Sequence, residues 1–256
     1  MKSLFSLILA ALIFPSLGLA DSKSSYQSDK VTEILAFPKI ALASGNIISL
    51  ADLETSLSSR QATKSLKSAK KYLEENILGQ DIFVYVINEA PDPLNRKFAL
   101  IRNRNNELIN EKLLKLGLAR FQASPYPHKF ESILQAAEEF ARQKGAGHWQ
   151  NGIFKFHSPK SKKIRDRKLN GSYQLFQGVV HSSHLGDDYL YVNFEKNWRK
   201  DLTLGIPTFL GHMEAKAFQK SLSAGTKIEF RGILEFWNGP FVKLYHPRHL
   251  KIIGSR

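Results

Sequence analysis

The chain has 256 residues, of which 43% are hydrophobic and 11% aromatic, and its formal net charge is +14. This composition excludes a disordered chain, because it supplies enough apolar side chains for packed cores, and the length suits two small domains. The absence of cysteine excludes disulfides and thiolate zinc sites, and the positive excess favours polyanions such as nucleic acid as partners.

Residues 1–20 have the layout of a secretory signal peptide. Lys2 precedes an apolar run, and the run ends at Gly18-Leu19-Ala20, whose small residues suit a cleavage site. Pro15 interrupts the run and polar residues follow it at once, so we expect cleavage near Asp21 and no stable membrane insertion afterwards. A retained anchor is the alternative. The predicted location is the periplasm or the cell exterior.

Residues 31–150 predict an α+β domain. Apolar residues at alternating positions on both sides of Gly45 predict short strands before Leu57. Helical spacing of apolar residues and runs of β-branched and aromatic residues predict the elements that follow. These are a helix at Arg60–Asn76, strands at Asp81–Asn88 and Phe98–Arg102, and helices at Leu108–Leu116 and Phe130–Lys144.

Residues 151–170 are polar and strongly basic, which predicts a basic linker or an exposed arm between two domains. Cations crowd one part of it and are candidate nucleic-acid contacts: Lys160, Lys162, Lys163, Arg165, Arg167 and Lys168. A solvated spacer without a ligand is the alternative interpretation.

Residues 171–254 predict a second domain that is mostly β. Five strand-like runs are interrupted by a short helix near His212–Leu222. Five strands with one inserted helix are the elements of an OB-type barrel, so we expect a second small OB-like β-barrel module.

Aromatic and basic residues are mixed within this second domain. Trp198, Arg199 and Trp237 are candidates for a surface on which the bases of a single strand stack. Burial in the core is the alternative for both tryptophans, and it is the location we expect for Phe194 and Phe241.

The segment from Asn106 to Trp149 carries a family pattern. An Asn-initiated helix leads to Gly-Leu-Ala, a strand, a Tyr-Pro loop and a charged amphipathic helix before a Trp. The matching residues are Leu113, Leu114, Gly117, Leu118, Ala119, Ala136, Ala137 and Trp149. On this pattern, residues 31–150 resemble the thermonuclease, or staphylococcal-nuclease-like, family. The resemblance implies an OB-type β-barrel with helices and calcium-dependent cleavage of phosphodiester bonds in DNA or RNA.

A second pattern lies in residues 189–253. Its matching residues are Asn193, Phe194, Trp198, Asp201, Arg231, Gly232, Asn238, Gly239 and Pro240. They resemble the extra C-terminal module of some bacterial thermonuclease-like proteins, a resemblance that implies no defined chemistry.

The first resemblance also assigns positions to a catalytic set. It implies an Asp-Gly-Asp-Thr turn and a later Asp that hold calcium, a Glu that assists water, and two Arg side chains that neutralise the phosphate. Aligned without gaps on the Gly45 turn, the Asp-Gly-Asp-Thr turn falls at Ala36–Lys39 and the first Arg at Ser49. The later Asp falls at Glu54 and the Glu at Leu57.

The second arginine of the set is retained as Arg96, and Asn95 stands where the family has Gly. Arg96 and Glu54 are therefore the candidate catalytic residues, and Arg96 is also a candidate phosphate contact. A one-residue gap would pair Asp52 with Glu54, but at the wrong spacing and without an arginine. With their partners missing, we expect both acids to be solvated remnants at a strand end, and we expect no bound metal.

Histidine pairs are not predicted to form a metal site. His181 and His184 are three residues apart, so on a strand they would point to opposite sides, and a polar hairpin loop is their expected place. His246 and His249 flank Pro247 and are expected at the surface.

Together these features predict an exported thermonuclease-family protein with a degenerate catalytic set. We expect it to bind nucleic acid or another polyanion with little or no cleavage and to need no cofactor. One alternative is an active Ca²⁺-dependent nuclease that uses Glu54 and Arg96 with a rearranged metal site. Another is a non-catalytic adaptor whose barrels bind protein partners.

Overall fold

The structure is a computed structural model that describes residues 26–54, 60–88, 90, 97–197, 201–208 and 212–254. The predicted signal peptide and the candidate residues Arg96, Trp198 and Arg199 lie outside these ranges. None of the described helices has the length and apolar character needed to cross a membrane.

A five-stranded closed barrel forms the first domain. Its strands are β1 (Gln27–Ile34), β2 (Lys39–Leu42), β3 (Ile47–Leu50), β4 (Asp81–Val86) and β5 (Lys97–Arg102). The strand order is β1-β2-β3-β5-β4, with β3 and β5 parallel and the other pairs antiparallel. Helix α1 (Arg60–Asn76) connects β3 to β4. This topology confirms the predicted OB-type barrel.

Two helices, α2 (Ile109–Lys115) and α3 (Glu131–Lys144), pack against each other after the barrel. The buried side of α3 includes Leu134, Ala137 and Ala141, as its helical spacing predicted. Gly117, which ends the α2 region, has a φ of +65°, and a Cβ built there would lie 2.2 Å from the carbonyl oxygen of Ala146. The glycine of the Gly-Leu-Ala pattern is therefore required for the close approach of two backbone segments.

The second domain is also built mainly of strands. They are β6 (Phe156–His157), β7 (Ser172–Val179), β8 (Ser182–Leu185), β9 (Tyr189–Asn193), β10 (Thr203–Pro207), β11 (Lys227–Phe236), β12 (Pro240–Lys243) and β13 (Leu250–Gly254). Helix α4 (His212–Ser221) lies between β10 and β11 in the chain. The sheet order is β6-β7-β11-β12-β10-β9-β8, and β13 pairs with β11.

The strand pairing of the second domain repeats that of the first barrel. Only Val180 and His181 separate β7 from β8, so these two strands take the place of one bent first strand. That bent strand pairs with β11 through β7 and with β9 through β8. The parallel pair β10–β12 corresponds to β3–β5, and α4 occupies the chain position of α1. The predicted OB-like module thus has OB-type connectivity.

The segment between the barrels is not a loose linker. Phe154 and Ile164 are 2% and 1% exposed, and β6 pairs in parallel with β7. Two short 3₁₀-helices, Lys162–Arg165 and Arg167–Leu169, complete the segment. Residues 160–168, hereafter the basic segment, are held against the core of the second domain by Ile164, while all six of the predicted cations remain exposed.

The two domains share a polar interface along α3. Among the described residues, three ion pairs join them: Arg231–Glu138, Arg142–Glu229 and Arg248–Glu131. The Tyr173 hydroxyl also donates to the carbonyl of Phe121 at 3.2 Å. These contacts fix the second barrel against the helical side of the first domain.

Candidate functional site

Glu54, the candidate metal and catalytic acid, is buried rather than solvated. It follows β3, and Arg120 donates to both of its carboxylate oxygens, through Nε and a terminal guanidinium nitrogen. Arg120 is also buried, donates to the carbonyl of Tyr173 at 3.1 Å and lies over the rings of Phe154 and Tyr173 at 5.1 and 5.3 Å. A bidentate guanidinium occupies the positions that a cation would need on this carboxylate.

Asp52 is also buried, so the expectation of a solvated acid is wrong for both carboxylates. Its Oδ1 accepts a hydrogen bond from the Ser124 amide at 2.7 Å, and its Oδ2 lies 2.9 Å from Nε2 of His128. The amide of Phe130 donates to Nδ1 of His128, which leaves the imidazole proton on Nε2, facing Asp52. With a φ of +57°, Asp52 is a buried turn residue that ties the end of β3 to the loop before α3.

The described residues at the family's metal positions do not fit a calcium ion. Calcium takes six to eight oxygen ligands, mostly carboxylates and carbonyls, whereas the carboxylates of Asp52 and Glu54 are already bonded within the protein. Phe37, in the turn aligned with Asp-Gly-Asp-Thr, is buried, and so is Ser49 at the first arginine position. No group of three or more metal-ligating side chains occurs within the described parts of the chain. No hydrolytic step can therefore be assigned to these residues.

A cleft of about 280 Å³ lies between the two barrels, next to Asp52. The first domain contributes Leu50 and Phe98 to its lining, and the second domain contributes Tyr245 and His249. His249 is 7% exposed, so its predicted surface location is wrong. Its Nε2 lies 3.2 Å from the carbonyl of Ala123 across the domain interface. His246 is half-buried, and its Nδ1 accepts from the Arg248 amide.

Burial of His249 makes stability depend on pH. Burial lowers its pKa from 6.5 to about 4, assisted by the charges of Arg231, His246 and Arg248. Between these values the unfolded chain binds a proton that the folded chain does not. Above pH 6.5 the buried neutral His249 therefore costs the folded state no protonation energy. As the pH falls from 6.5 to 4, the free energy of unfolding drops by about 3 kcal/mol because of this group.

We expect His249→Gln to show a smaller loss of unfolding free energy than the wild type between pH 6.5 and 4. Part of the loss will remain, because burial also lowers the pKa of His157 to about 4. Urea unfolding at a series of pH values measures both curves. Parallel acid limbs for variant and wild type would contradict the assignment to His249.

The candidate aromatic and basic residues of the second domain fall into two groups. Phe194 and Phe241 are buried, as expected, whereas Trp237 is 59% exposed. Arg231 is committed to the domain interface by its ion pair with Glu138. Arg167 of the basic segment lies over the Phe236 ring at 5.5 Å, which brings that segment to the turn that carries Trp237.

Sequence reasoning missed the partners that decide the state of the two acids. Arg120 directly follows the Gly-Leu-Ala pattern, and His128 follows the Tyr-Pro loop. Neither position stands out by composition. Their position in the sequence could have pointed to a role in the site. Both residues lie inside the segment with the family pattern, in extended stretches that return towards the barrel.

Comparison with known protein families identifies part of the first domain. Residues 47–151 match the family model for staphylococcal nuclease homologue. No curated protein sequence matches the chain significantly. The matched region runs from β3 through α3 and contains the parallel β3–β5 pair and both members of the Glu54–Arg120 ion pair. It ends before the second barrel, whose resemblance to a C-terminal module stays a prediction. Residues 47–151, from β3 through α3, therefore form a domain of the staphylococcal nuclease homologue type.

Proposed function

We propose that this protein is an exported staphylococcal-nuclease-like protein that binds nucleic acid or another polyanion with little or no cleavage. The observation that carries the proposal is the buried bidentate ion pair between Glu54 and Arg120. It supports a site in which the acid nearest to the family's metal position neutralises an internal arginine. The signal-like residues 1–20 support export to the periplasm or beyond.

Loss of cleavage follows from the chemistry of the reaction. Phosphodiester hydrolysis in this family depends on a cation that stabilises developing charge and on a base that assists water. Losing either type of group costs a factor of about 10²–10⁴ in rate. Ser49 and the Ala36–Lys39 turn offer neither an arginine nor a carboxylate for calcium. Arg96 alone, as a retained cation, supports attraction of a phosphate without its hydrolysis.

Binding is supported by charge and by family membership. The family acts on nucleic acids, and the net charge of +14 raises the local concentration of polyanions. The six exposed cations of the basic segment lie within nine consecutive residues. They are the main phosphate contacts in this proposal.

We expect the basic segment to set the salt dependence of nucleic-acid binding. Changing Lys160, Lys162, Lys163 and Lys168 together to Gln should weaken oligonucleotide binding. It should also flatten the plot of log affinity against log salt, because each lost phosphate contact reduces the slope by about 0.7–0.9. Fluorescence anisotropy at several salt concentrations measures both quantities.

Helix α1 provides a matched control for this experiment. Changing its lysines Lys64, Lys67, Lys70 and Lys71 to Gln removes the same formal charge from another surface. Equal effects of the two sets would indicate attraction by net charge alone and would contradict a specific role for the basic segment. Oligonucleotide binding that ignores salt would contradict the phosphate contacts altogether and favour a protein-binding adaptor.

A further inference from the structure

A groove on the outer surface of the second barrel has the size and lining of a ligand-binding site. Alternation along β9 sends Leu190 and Val192 into the core and Tyr191 and Asn193 outward. The outward residues of β9, β10 and β12, with the β11–β12 turn, line a cavity of about 440 Å³. We call this cavity the aromatic groove; its principal lining residues are Tyr191, Asn193, Thr203, Trp237, Asn238 and Phe241. It occupies the face and turns that OB-type barrels use for oligonucleotides and oligosaccharides.

Trp237 is held in place as a flat platform at this groove. Its ring stacks on Phe241 with a centroid distance of 4.8 Å and an interplanar angle of 9°. Tyr189 meets both rings edge-on, at 72° to Trp237 and 81° to Phe241. Although one side of the indole is covered by Phe241, 59% of the residue remains exposed. An ordered, exposed indole can stack on a planar ligand at little entropic cost.

A glycine makes room for this arrangement. A Cβ built on Gly205 would lie 2.2 Å from the ring of Phe241 and 3.1 Å from the ring of Tyr189. Any side chain on β10 at this point would therefore displace the ring that supports Trp237. The backbone of β10 is shaped to let the aromatic rings lie against it.

The polar groups of the groove suit the edges of a nucleobase. Thr203 donates to the side-chain oxygen of Asn193 at 3.0 Å, which orients that amide. Asn238 and His184 also line the groove and add donors and acceptors. Such groups beside an aromatic platform can hydrogen-bond a stacked base.

The distribution of charge favours a base rather than a phosphate inside the groove, with phosphates nearby. The described residues that line the groove include no Lys, Arg, Asp or Glu, so its interior offers a phosphate no cationic partner. Arg167, by contrast, covers Phe236, the residue next to Trp237. This contact places one cation of the basic segment beside the end of β11, where the turn that carries Trp237 begins.

We propose that the aromatic groove binds single-stranded nucleic acid by stacking a base on Trp237, with the adjoining basic segment contacting the phosphates. The inference rests on the proposed function and adds the preferred form of the ligand. Single strands are preferred because their bases present free faces, whereas the bases of a duplex are already stacked on one another.

The test compares Trp237→Ala and Trp237→Phe with the wild type in the full chain. Fluorescence anisotropy would measure binding of labelled single-stranded and duplex oligonucleotides of equal length. Phe83→Ala is the control, because Phe83 is an aromatic residue 43% exposed on the first barrel. Thermal unfolding of each variant verifies that it is folded.

We expect Trp237→Ala to weaken single-strand binding roughly tenfold to a hundredfold. Trp237→Phe should retain most of the affinity, and neither Phe83→Ala nor duplex binding should change appreciably. Unchanged single-strand affinity in Trp237→Ala would overturn the base-stacking site while leaving polyanion binding intact. An effect of Trp237→Ala on binding of a neutral oligosaccharide, but not of the oligonucleotide, would overturn it in favour of a sugar ligand. Failure of the wild type to bind either oligonucleotide would instead remove nucleic acid as the ligand of the proposed function.

Discussion

Replacing Arg231 with Met is expected to lower the free energy of unfolding by about 3–5 kcal/mol, the range for breaking a buried ion pair by removing one partner. Arg231 donates to both carboxylate oxygens of Glu138, at 3.2 and 2.9 Å, and to the carbonyl of Phe121 at 2.7 Å. Burial alone would lower the pKa of Arg231, but Glu138 and Tyr173 raise it above its usual value. The guanidinium is therefore charged in the folded protein at any ordinary pH.

The variant leaves several groups without their cation. Glu138, whose side chain is 8% exposed, also accepts from the Phe121 amide at 2.7 Å. Without Arg231 the carboxylate of Glu138 keeps the hydrogen bond from the Phe121 amide but loses its ion pair. The Phe121 carbonyl loses a charged donor. Because these residues join α3 to β11, the loss falls on the contact between the two domains.

An exposed ion pair supplies the control for Arg231. Arg104 and Asp81 pair on the surface of the first barrel, with side chains 65% and 51% exposed. Arg104→Met should cost no more than about 1 kcal/mol. Urea unfolding compares the two variants. A loss for Arg231→Met as small as that of Arg104→Met would mean that the interface does not couple the domains.

Replacing Arg120 with Met is the second substitution for which we expect a loss of about 3–5 kcal/mol. Glu54 would remain as a buried carboxylate without its guanidinium, and the rings of Phe154 and Tyr173 would lose the cation between them. The double variant Glu54→Met with Arg120→Met should recover much of the loss, because apolar side chains can replace a buried ion pair without an unpaired charge.

The double variant separates a structural role of Glu54 from a catalytic one. A surface pair again serves as control: Lys70→Met removes the exposed partner of Glu74 on α1 and should cost less than about 1 kcal/mol. If Glu54 served chiefly as a metal ligand, Arg120→Met would change stability little and the double variant would restore nothing. Denaturant unfolding of the two single variants and the double variant gives the coupling energy directly.

The repeating features of the fold were predictable from the sequence because they depend on local periodicity. Helix α1 has the predicted bounds, Arg60–Asn76, and α3 begins one residue after the predicted start. Five strands with one inserted helix predicted the OB-like connectivity of the second barrel, whereas the OB-type barrel of the first domain was implied by the family resemblance. Phe194 lies in the core because it continues the alternation that buries Leu190 and Val192.

The state of the candidate site was not predictable in the same way. Glu54 and Arg120 are 66 residues apart, and Arg231 and Glu138 are 93 apart. Periodicity shows which face of an element is buried but does not show which polar side chains meet across a fold. Charged residues are mostly exposed in proteins, so an acid at a strand end was expected in solvent. The basic segment was misjudged for the same reason, because its charged composition hid its buried residue Ile164.

An assay of calcium-dependent cleavage tests most directly whether Glu54 has a structural role in place of a catalytic one. The purified chain would be incubated with single-stranded and duplex DNA and RNA, with calcium or with a chelator, beside a Glu54→Gln variant whose fold is verified by circular dichroism. We expect no calcium-stimulated cleavage by either protein and retained, salt-sensitive oligonucleotide binding by the wild type. Calcium-stimulated cleavage by the wild type that is lost in a folded, still-binding Glu54→Gln variant would contradict this conclusion.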